Sequence, residues 1–381
     1  MGKKYIYAFP KITIKNLFNK KPIRCGRNSK ETKSIMLSSG RAALYNAVKI
    51  LNLKASDTVL VPAYHCGVEI EALIKAGVKI RYYRITRDMA VDKEDLERKT
   101  DDGIKALLII HYWGFPQDLS WLERYSKNKG IALIEDCAHA LYSKWENKLL
   151  GTFGEVGIYS LSKTLPLPGG GVLRLKQEMV SLNPNRPTKR WYEVKFIIRC
   201  ILEDMRNQDE TRRAMFAELL LTLIEKMRRV EGMENLDYMK KEINIYNEKI
   251  GIFTNYLLNC FDPEAIVQRR KENYVILFNN LESIKGIEIP FKSVDKGVCP
   301  LFLPIIVRDR DMVESYLRKN NIEAYVFGRN LHRSLIREKY LESQFLSNHV
   351  LGIPIHQDLQ KEDMKVIAEA VASSVEIQEK M

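Results

Sequence analysis

Two short segments carry side chains of the right type and spacing for carbonyl chemistry. The first is Glu135, Asp136, Cys137, Ala138 and His139, directly after the apolar run at 131–134. The second runs from Tyr159 through Ser160, Ser162 and Lys163 into the glycines Gly169, Gly170 and Gly171. An acid at one strand end and a lysine on a turn at another are what a pyridoxal phosphate (PLP) site requires. The lysine forms an imine with the aldehyde, and the acid holds the pyridine nitrogen so that the ring can withdraw electrons. The glycine run would let backbone approach a ligand closely. Each residue also has a plainer reading. A lysine after a strand is ordinarily a surface lysine, and Asp136 can cap a following helix. Glu135 can take either role, and His139 can be a buried core histidine.

Other strand ends add to the pattern. Ser38, Ser39, Gly40 and Arg41 read as a loop entering a helix, whose free N–H groups and dipole favour a phosphate. Pro62 to Cys66 follows a strand, so Tyr64 or His65 could stack on a pyridine ring. The segment 111–116 ends another strand in a packed turn.

These positions need elements to hold them. Between 34 and 175, short apolar runs at 58–62, 79–85, 105–111, 131–135, 157–161 and 171–175 alternate with helical periodicity at 40–53, 67–76, 93–99 and 119–129. That alternation predicts an α/β fold with a mostly parallel sheet covered on both faces, and open sheets of this kind bind ligands at the carboxyl ends of their strands. Residues 189–250 read as a helical insertion of mixed charge. A connecting helix follows 262–263. Strands at 300–307 and 322–327 and a last helix at 361–375 form a smaller α+β domain. The expected units are therefore a basic arm at 1–33, a large PLP-binding domain at 34–260 and a small C-terminal domain at 261–381.

With 381 residues, 45% hydrophobic and 29% charged, the chain has the composition of a soluble globular protein with two domains. No apolar run has membrane-spanning length, and residues 1–6 lack a signal-like apolar stretch, so a cytoplasmic location is expected. The six cysteines have no paired CxxC spacing, which argues against a zinc site or a disulfide framework. The net charge of +13 is uneven: residues 1–33 hold ten Lys or Arg and one acid, while the rest is close to neutral. Nucleic acid is therefore not the expected partner. The arm is either a solvated extension or a contact with anionic lipid or an acidic partner.

Together these residues resemble the fold-type-I PLP enzymes, and within them the nucleotide-sugar aminotransferases of the DegT/StrS, perosamine-synthase-like type. The matching segments are 39–44, 61–64, 114–116, 135–139, 151–157, 163–171, 269–274 and 352–359, so the likeness spans nearly 34–375. It implies a fold-type-I aminotransferase with a large PLP domain and a small α+β domain, acting as a homodimer with a shared active site. By the same resemblance Lys163 is the imine lysine, Asp136 the pyridinium partner, and His139 the occupant of a place where the family usually has glutamine. Ser39, Gly40, Arg41 and Ser160 would approach the phosphate, and Tyr64 would cover the ring. The implied reaction moves an amino group from an amino-acid donor to a nucleotide-linked keto sugar. A PLP-dependent deoxysugar dehydratase is the alternative within the scaffold, against which Lys163 speaks, because such relatives carry histidine there. A non-catalytic scaffold using the basic arm is the alternative outside it. Three features depart from the family pattern: Arg41 replaces its usual threonine, the turn before Lys163 is about two residues short, and its Asn-x-Arg segment is not recognisable.

Overall fold

The computed structural model describes residues 4–13, 32–176, 184, 186, 188, 190–208 and 246–380. In chain order its strands are β1 (Thr32–Leu37), β2 (Thr58–Pro62), β3 (Lys79–Tyr83), β4 (Ile104–Ile110), β5 (Ala132–Asp136), the short hairpin β6 (Lys144–Trp145) and β7 (Lys148–Leu149), β8 (Val156–Ser160), β9 (Gly171–Lys176), β10 (Phe302–Ile306) and β11 (Val350–Pro354). Seven of them form one sheet in the order β1-β9-β8-β5-β4-β2-β3. The pairs from β3 across to β8 are parallel, and the β8–β9 and β9–β1 pairs are antiparallel. The expected mostly parallel α/β sheet is therefore present. The two antiparallel strands at one edge include β1, which the charge-dominated reading of residues 1–33 did not separate from the arm.

The helices begin and end where local chemistry allows. Ser39 caps the Gly40–Ile50 helix, its hydroxyl accepting from the Ala42 N–H, which satisfies one of the orphan donors of the first turn. Ala43, Leu44, Ala47 and Val48 of this helix are fully buried; burying Leu44 or Val48 contributes about 2 kcal/mol each. Asp92, Asp118, Asp262 and Asp309 cap four further helices in the same way. Glycine in the left-handed conformation at Gly130, φ +63°, ends the Leu119–Lys129 helix.

The smaller C-terminal unit is built on the antiparallel pair β10–β11 and the helices Arg310–Lys319 and Lys361–Lys380. The segment 322–327, expected as a strand for its β-branched and aromatic content, makes only isolated bridges, Ile322 to Ile6 and Tyr325 to Gly352. Its side chains are spent on packing: Tyr325 stacks on Phe302 at 5.0 Å, and Phe327 meets His139 edge-on at 4.7 Å.

Residues 4–13, read from sequence as part of a basic arm, are seated on this C-terminal unit. Ile6, Tyr7, Ala8 and Ile12 are buried. Lys4 Nζ pairs with Asp363 at 2.8 Å, Tyr5 Oη donates to Glu323 at 2.9 Å, and His356 Nε2 donates to the Tyr7 carbonyl at 3.1 Å. The rest of the arm lies outside the described residues except Thr32 and Lys33, which begin β1. Of the helical insertion expected at 189–250, the Arg190–Gln208 helix is described, and 209–245 lie outside the described residues. No helix among the described residues is long and apolar enough to cross a membrane.

Candidate active site

Adjacent parallel strands β5 and β8 carry Asp136 and the Lys163 turn at their carboxyl ends, with Asp136 opposite Ile158 in register. Chain reversal after β8 is achieved by a four-residue helix, Leu161–Thr164. Two long-range donors fix that turn by its last carbonyl: Thr164 O accepts from Arg270 Nη2 and from Gln357 Nε2, both at 3.1 Å. Arg270 is itself buried and also donates to Leu301 O at 2.8 Å, so one guanidinium ties the Pro263–Leu281 helix, the residue that leads into β10 and the lysine turn together.

Lys163 and Asp136 open into one cleft of about 400 Å³, whose walls also contain Ser39, Gly40, Arg41 and Ser160. Six of the eight residues singled out from sequence are thus gathered here. Burial opposes a charged Lys163, and Tyr325, Cys66, Asp136 and Glu69 around it outweigh that, holding the ammonium above its ordinary range. Burial, reinforced by Glu69, raises the Asp136 carboxyl, while Lys163 pulls the other way. Asp136 Oδ1 accepts from the Ala138 N–H at 2.8 Å, but the residues that follow form a turn and no helix, so the bond closes a turn where a helix N-cap was expected.

The neighbouring acid has a different task. Along a strand, successive side chains point to opposite faces, and Glu135 faces away from the cleft into a ring of donors. It accepts from the N–H groups of Gly151, Phe153 and Gly154, each at 2.7 Å, and meets His111 Nε2 at 3.2 Å. His111, Glu135 and Cys137 bring potential metal-ligand atoms within 4.8 Å of one another. The carboxylate oxygens and His111 Nδ1, which accepts from Gln117 N–H at 3.1 Å, are already engaged within the protein. Glu135 therefore clamps the 151–154 turn.

Tyr64 and His139 lie elsewhere. Tyr64 is fully buried, stacked on Tyr112 with centroids 5.4 Å apart, and donates to Phe327 O at 3.2 Å. Its ring is a core element, and Cys66, two residues on, reaches the cleft wall instead. His65 is also buried, accepting from the Gly67 N–H at 3.0 Å. His139 sits behind the cleft wall between Trp113 and Phe327. Its Nδ1 accepts from the Trp113 N–H at 3.4 Å, and its buried Nε2 has no hydrogen-bond partner among the described residues. Burial, then the charge of Lys163, keeps this imidazole neutral.

Four side chains of the wall that carry a polar or sulfur atom were not assigned to the site from sequence: Cys66, Glu69, Ser162 and Tyr325. Cys66 Sγ donates to Glu69 Oε2 at 2.8 Å, and Tyr325 is hydrogen-bonded to Lys163. Ser162 was legible as the residue beside the lysine; the others come from a helix and a loop whose approach only the fold reveals. The glycine run also acts differently from expectation. Gly170 N–H donates to Ser38 O at 2.7 Å, and a Cβ on Gly171 would lie 2.1 Å from Ser39 O. The run lets β9 seat the Ser38–Gly40 loop, which in turn faces the cleft.

This donor set fits PLP. A lysine amine able to form an imine and a buried carboxyl stand together. Hydroxyls of Ser39, Ser160 and Ser162 and the first turn of the Gly40–Ile50 helix offer an anion site, and the orphaned His139 Nε2 lies just behind the wall.

Residues 27–180 match the model of the DegT/DnrJ/EryC1/StrS aminotransferase family. GDP-perosamine synthase of Escherichia coli O157:H7 is 30% identical over 142 residues, 36% of this chain and 38% of that protein. The chain spans less than half the length of the curated relatives it matches, with 38%, 40% and 47% of three of them covered. Among solved structures, an aminotransferase from Streptoalloteichus hindustanus aligns over 99% of this chain and 100% of its own, with a TM-score of 0.67 at 14% identity. A chain from Streptococcus pneumoniae described as a sugar aminotransferase in its PLP form aligns over 99% and 98%, with a TM-score of 0.67 at 16% identity. The fold is thus that of the fold-type-I sugar aminotransferases.

Proposed function

From the match of residues 27–180 to the DegT/DnrJ/EryC1/StrS aminotransferase family, we propose that the protein is a PLP-dependent aminotransferase that moves an amino group from an amino-acid donor to a keto sugar carried on a nucleotide. The observation that carries this reading is the meeting of Lys163 and Asp136 in one cleft at neighbouring parallel strand ends. Homodimerisation with a shared active site, and the cytoplasm as location, belong to the same proposal.

When bound, PLP supplies an electron sink for a carbanion at the substrate carbon. The chain supplies the rest. Lys163 Nζ would hold the cofactor through its aldehyde carbon and, when free, would take up and return a proton within the cleft. Asp136 presents a buried carboxyl for the ring nitrogen. Ser39, Ser160 and Ser162, with the N–H groups at the start of the Gly40–Ile50 helix, would hold the phosphate. Arg270 and Gln357 orient the lysine by holding the Thr164 carbonyl.

Purified protein incubated with PLP should show a visible chromophore that borohydride fixes on Lys163, located by peptide mass. Titration with glutamate or glutamine should bleach it, and one member of a panel of nucleotide keto sugars should restore it. Trapping on another lysine would overturn the assignment.

A further inference from the structure

A segment of the C-terminal unit reaches the Lys163 amine. Tyr325 shares the cleft wall with it, and the Phe327 ring centroid lies 5.9 Å from Nζ. An ammonium can only donate, so in the hydrogen bond between Lys163 and Tyr325 the phenol oxygen accepts. What fixes the tyrosine is less local. Its N–H donates to Gly352 O at 2.9 Å and its carbonyl accepts from the Gly352 N–H at 2.8 Å, which pins the backbone. The ring is held separately. It stacks on Phe302 at 5.0 Å, and Phe9 closes on both rings edge-on, 5.2 Å from Tyr325 and 5.3 Å from Phe302.

Phe302 belongs to β10, but Phe9 belongs to the N-terminal segment 4–13, and the chain on both sides of it is tied down. Before it, the Ile6 N–H donates to Asn321 O and Ile6 O accepts from the Glu323 N–H, both at 2.8 Å, and the Ala8 N–H donates to Glu323 at 3.2 Å. After it, the Lys11 N–H donates to Asp358 at 3.1 Å, and Lys11 Nζ pairs at 2.9 Å with Glu203, a buried acid of the Arg190–Gln208 helix. The segment is thus a strap from that helix to residues 321–325, with Phe9 against the ring that meets the lysine. Edge-on ring contacts are directional, and close packing leaves such a ring little room to drift. Removing Phe9 opens space beside Tyr325, whose hydroxyl then loses the alignment a hydrogen bond needs.

We propose that Phe9 is a positioning residue for the Lys163 amine, acting through Tyr325, so that the N-terminal segment sets the reactivity of a lysine whose cleft it does not line. The inference rests on the aminotransferase reading only in taking Lys163 as the reacting amine; the contacts from Phe9 to Tyr325 to Lys163 stand on their own geometry.

The test reads Lys163 directly. Full-length protein, freed of any cofactor with hydroxylamine, is labelled with trace acetic anhydride, and peptide mass gives acetylation of Lys163 relative to the exposed Lys285. Only the uncharged amine reacts, so weaker holding of the ammonium reads as faster labelling. Tyr325→Phe removes the acceptor and keeps the ring. Labelling of Lys163 should rise about tenfold, the worth of a hydrogen bond to a charged group, while Glu69, Asp136 and Cys66 remain around the ammonium. Phe9→Ala should raise labelling at least about threefold in wild type but less than about 1.5-fold in the Tyr325→Phe background, where the bond it protects is gone. A loosened fold would instead raise labelling equally in both backgrounds. Where Phe9→Ala does not fold by circular dichroism, Phe9→Leu keeps apolar bulk without the aromatic edge and should show the same dependence on background, with a rise of about twofold. Unchanged labelling in either single variant, or an equal effect of the Phe9 change with and without the hydroxyl, would overturn the proposal. Failure of borohydride to fix the cofactor on Lys163 would instead overturn the aminotransferase reading and leave this measurement standing.

Discussion

Glu135→Gln and Asp136→Asn make the same chemical change at consecutive residues and should have opposite consequences. The Glu135 carboxylate accepts four bonds, three of them at 2.7 Å from the N–H groups of Gly151, Phe153 and Gly154 and one from His111. A glutamine can place its oxygen on one side only, where Phe153 and Gly154 donate, and its NH₂ then faces the Gly151 N–H and His111. His111 cannot change tautomer without confronting the Gln117 N–H. Two charge-assisted bonds are lost and a buried N–H is orphaned, so the variant should be less stable by about 3–5 kcal/mol. Asp136 has a carboxyl that burial already favours in its neutral form, which an amide resembles, so Asp136→Asn should stay within about 1.5 kcal/mol of wild type while losing turnover. Denaturant midpoints at constant slope measure both. A Glu135→Gln cost below about 1 kcal/mol, or an unfolded Asp136→Asn that leaves Glu135→Gln inactive, would refute the division of roles.

Three buried histidines should make the fold acid-sensitive. Burial lowers His65 to about 4 and His356 to about 3, and keeps His139 well below its ordinary range. The unfolded chain binds protons on them below about 6.5 while the folded chain does not, so stability is lost as pH falls from that value toward 4. His356→Gln should flatten this slope by about 1.4 kcal/mol per pH unit, and an unchanged slope on stepping urea curves from pH 6.5 to 4.5 would contradict the assignment. Gly171→Ala would drive a Cβ against Ser39 O and should raise the dissociation constant for PLP at least tenfold, read by fluorescence, even where the protein still folds; equal affinity would mean the loop is not part of the site. Glu323→Ala removes the acceptor of both Tyr5 Oη and the Ala8 N–H and should expose residues 4–13 to proteolysis with little change in the global midpoint; uncut protein would show that the other anchors suffice.

What the sequence revealed followed local rules. Strand-end chemistry placed Asp136 and Lys163 because apolar runs and breakers punctuate β5 and β8 plainly, and the Lys93–Lys99 and Leu119–Lys129 helices have aspartate caps at Asp92 and Asp118. The choice between Glu135 and Asp136 was open in sequence because alternation gives two faces without saying which is the cleft. Tyr64 was drawn to the cofactor by its ring, yet packing against Tyr112 and Phe327 claimed that ring for the core and left Cys66 at the surface of the cleft. Tyr325 and Glu69 were illegible because their approach to Lys163 depends on long-range docking of a loop and a helix. β1 was obscured by local charge, although its antiparallel pairing to β9 at the sheet's edge tolerates lysine at the exposed positions.

The seating of residues 4–13 has a temporal side. Lys4 reaches Asp363 across 359 residues of chain. Synthesis runs at roughly 5–20 residues per second, so the segment waits about 20–70 s after leaving the ribosome before its acceptor exists. Over much of that interval Ile6 and Tyr7 lack the C-terminal surface that covers them, whereas the strands of the main sheet can pair as they emerge. Docking of this segment therefore waits for partners made much later, and a chaperone that shields an exposed apolar segment would act on this one.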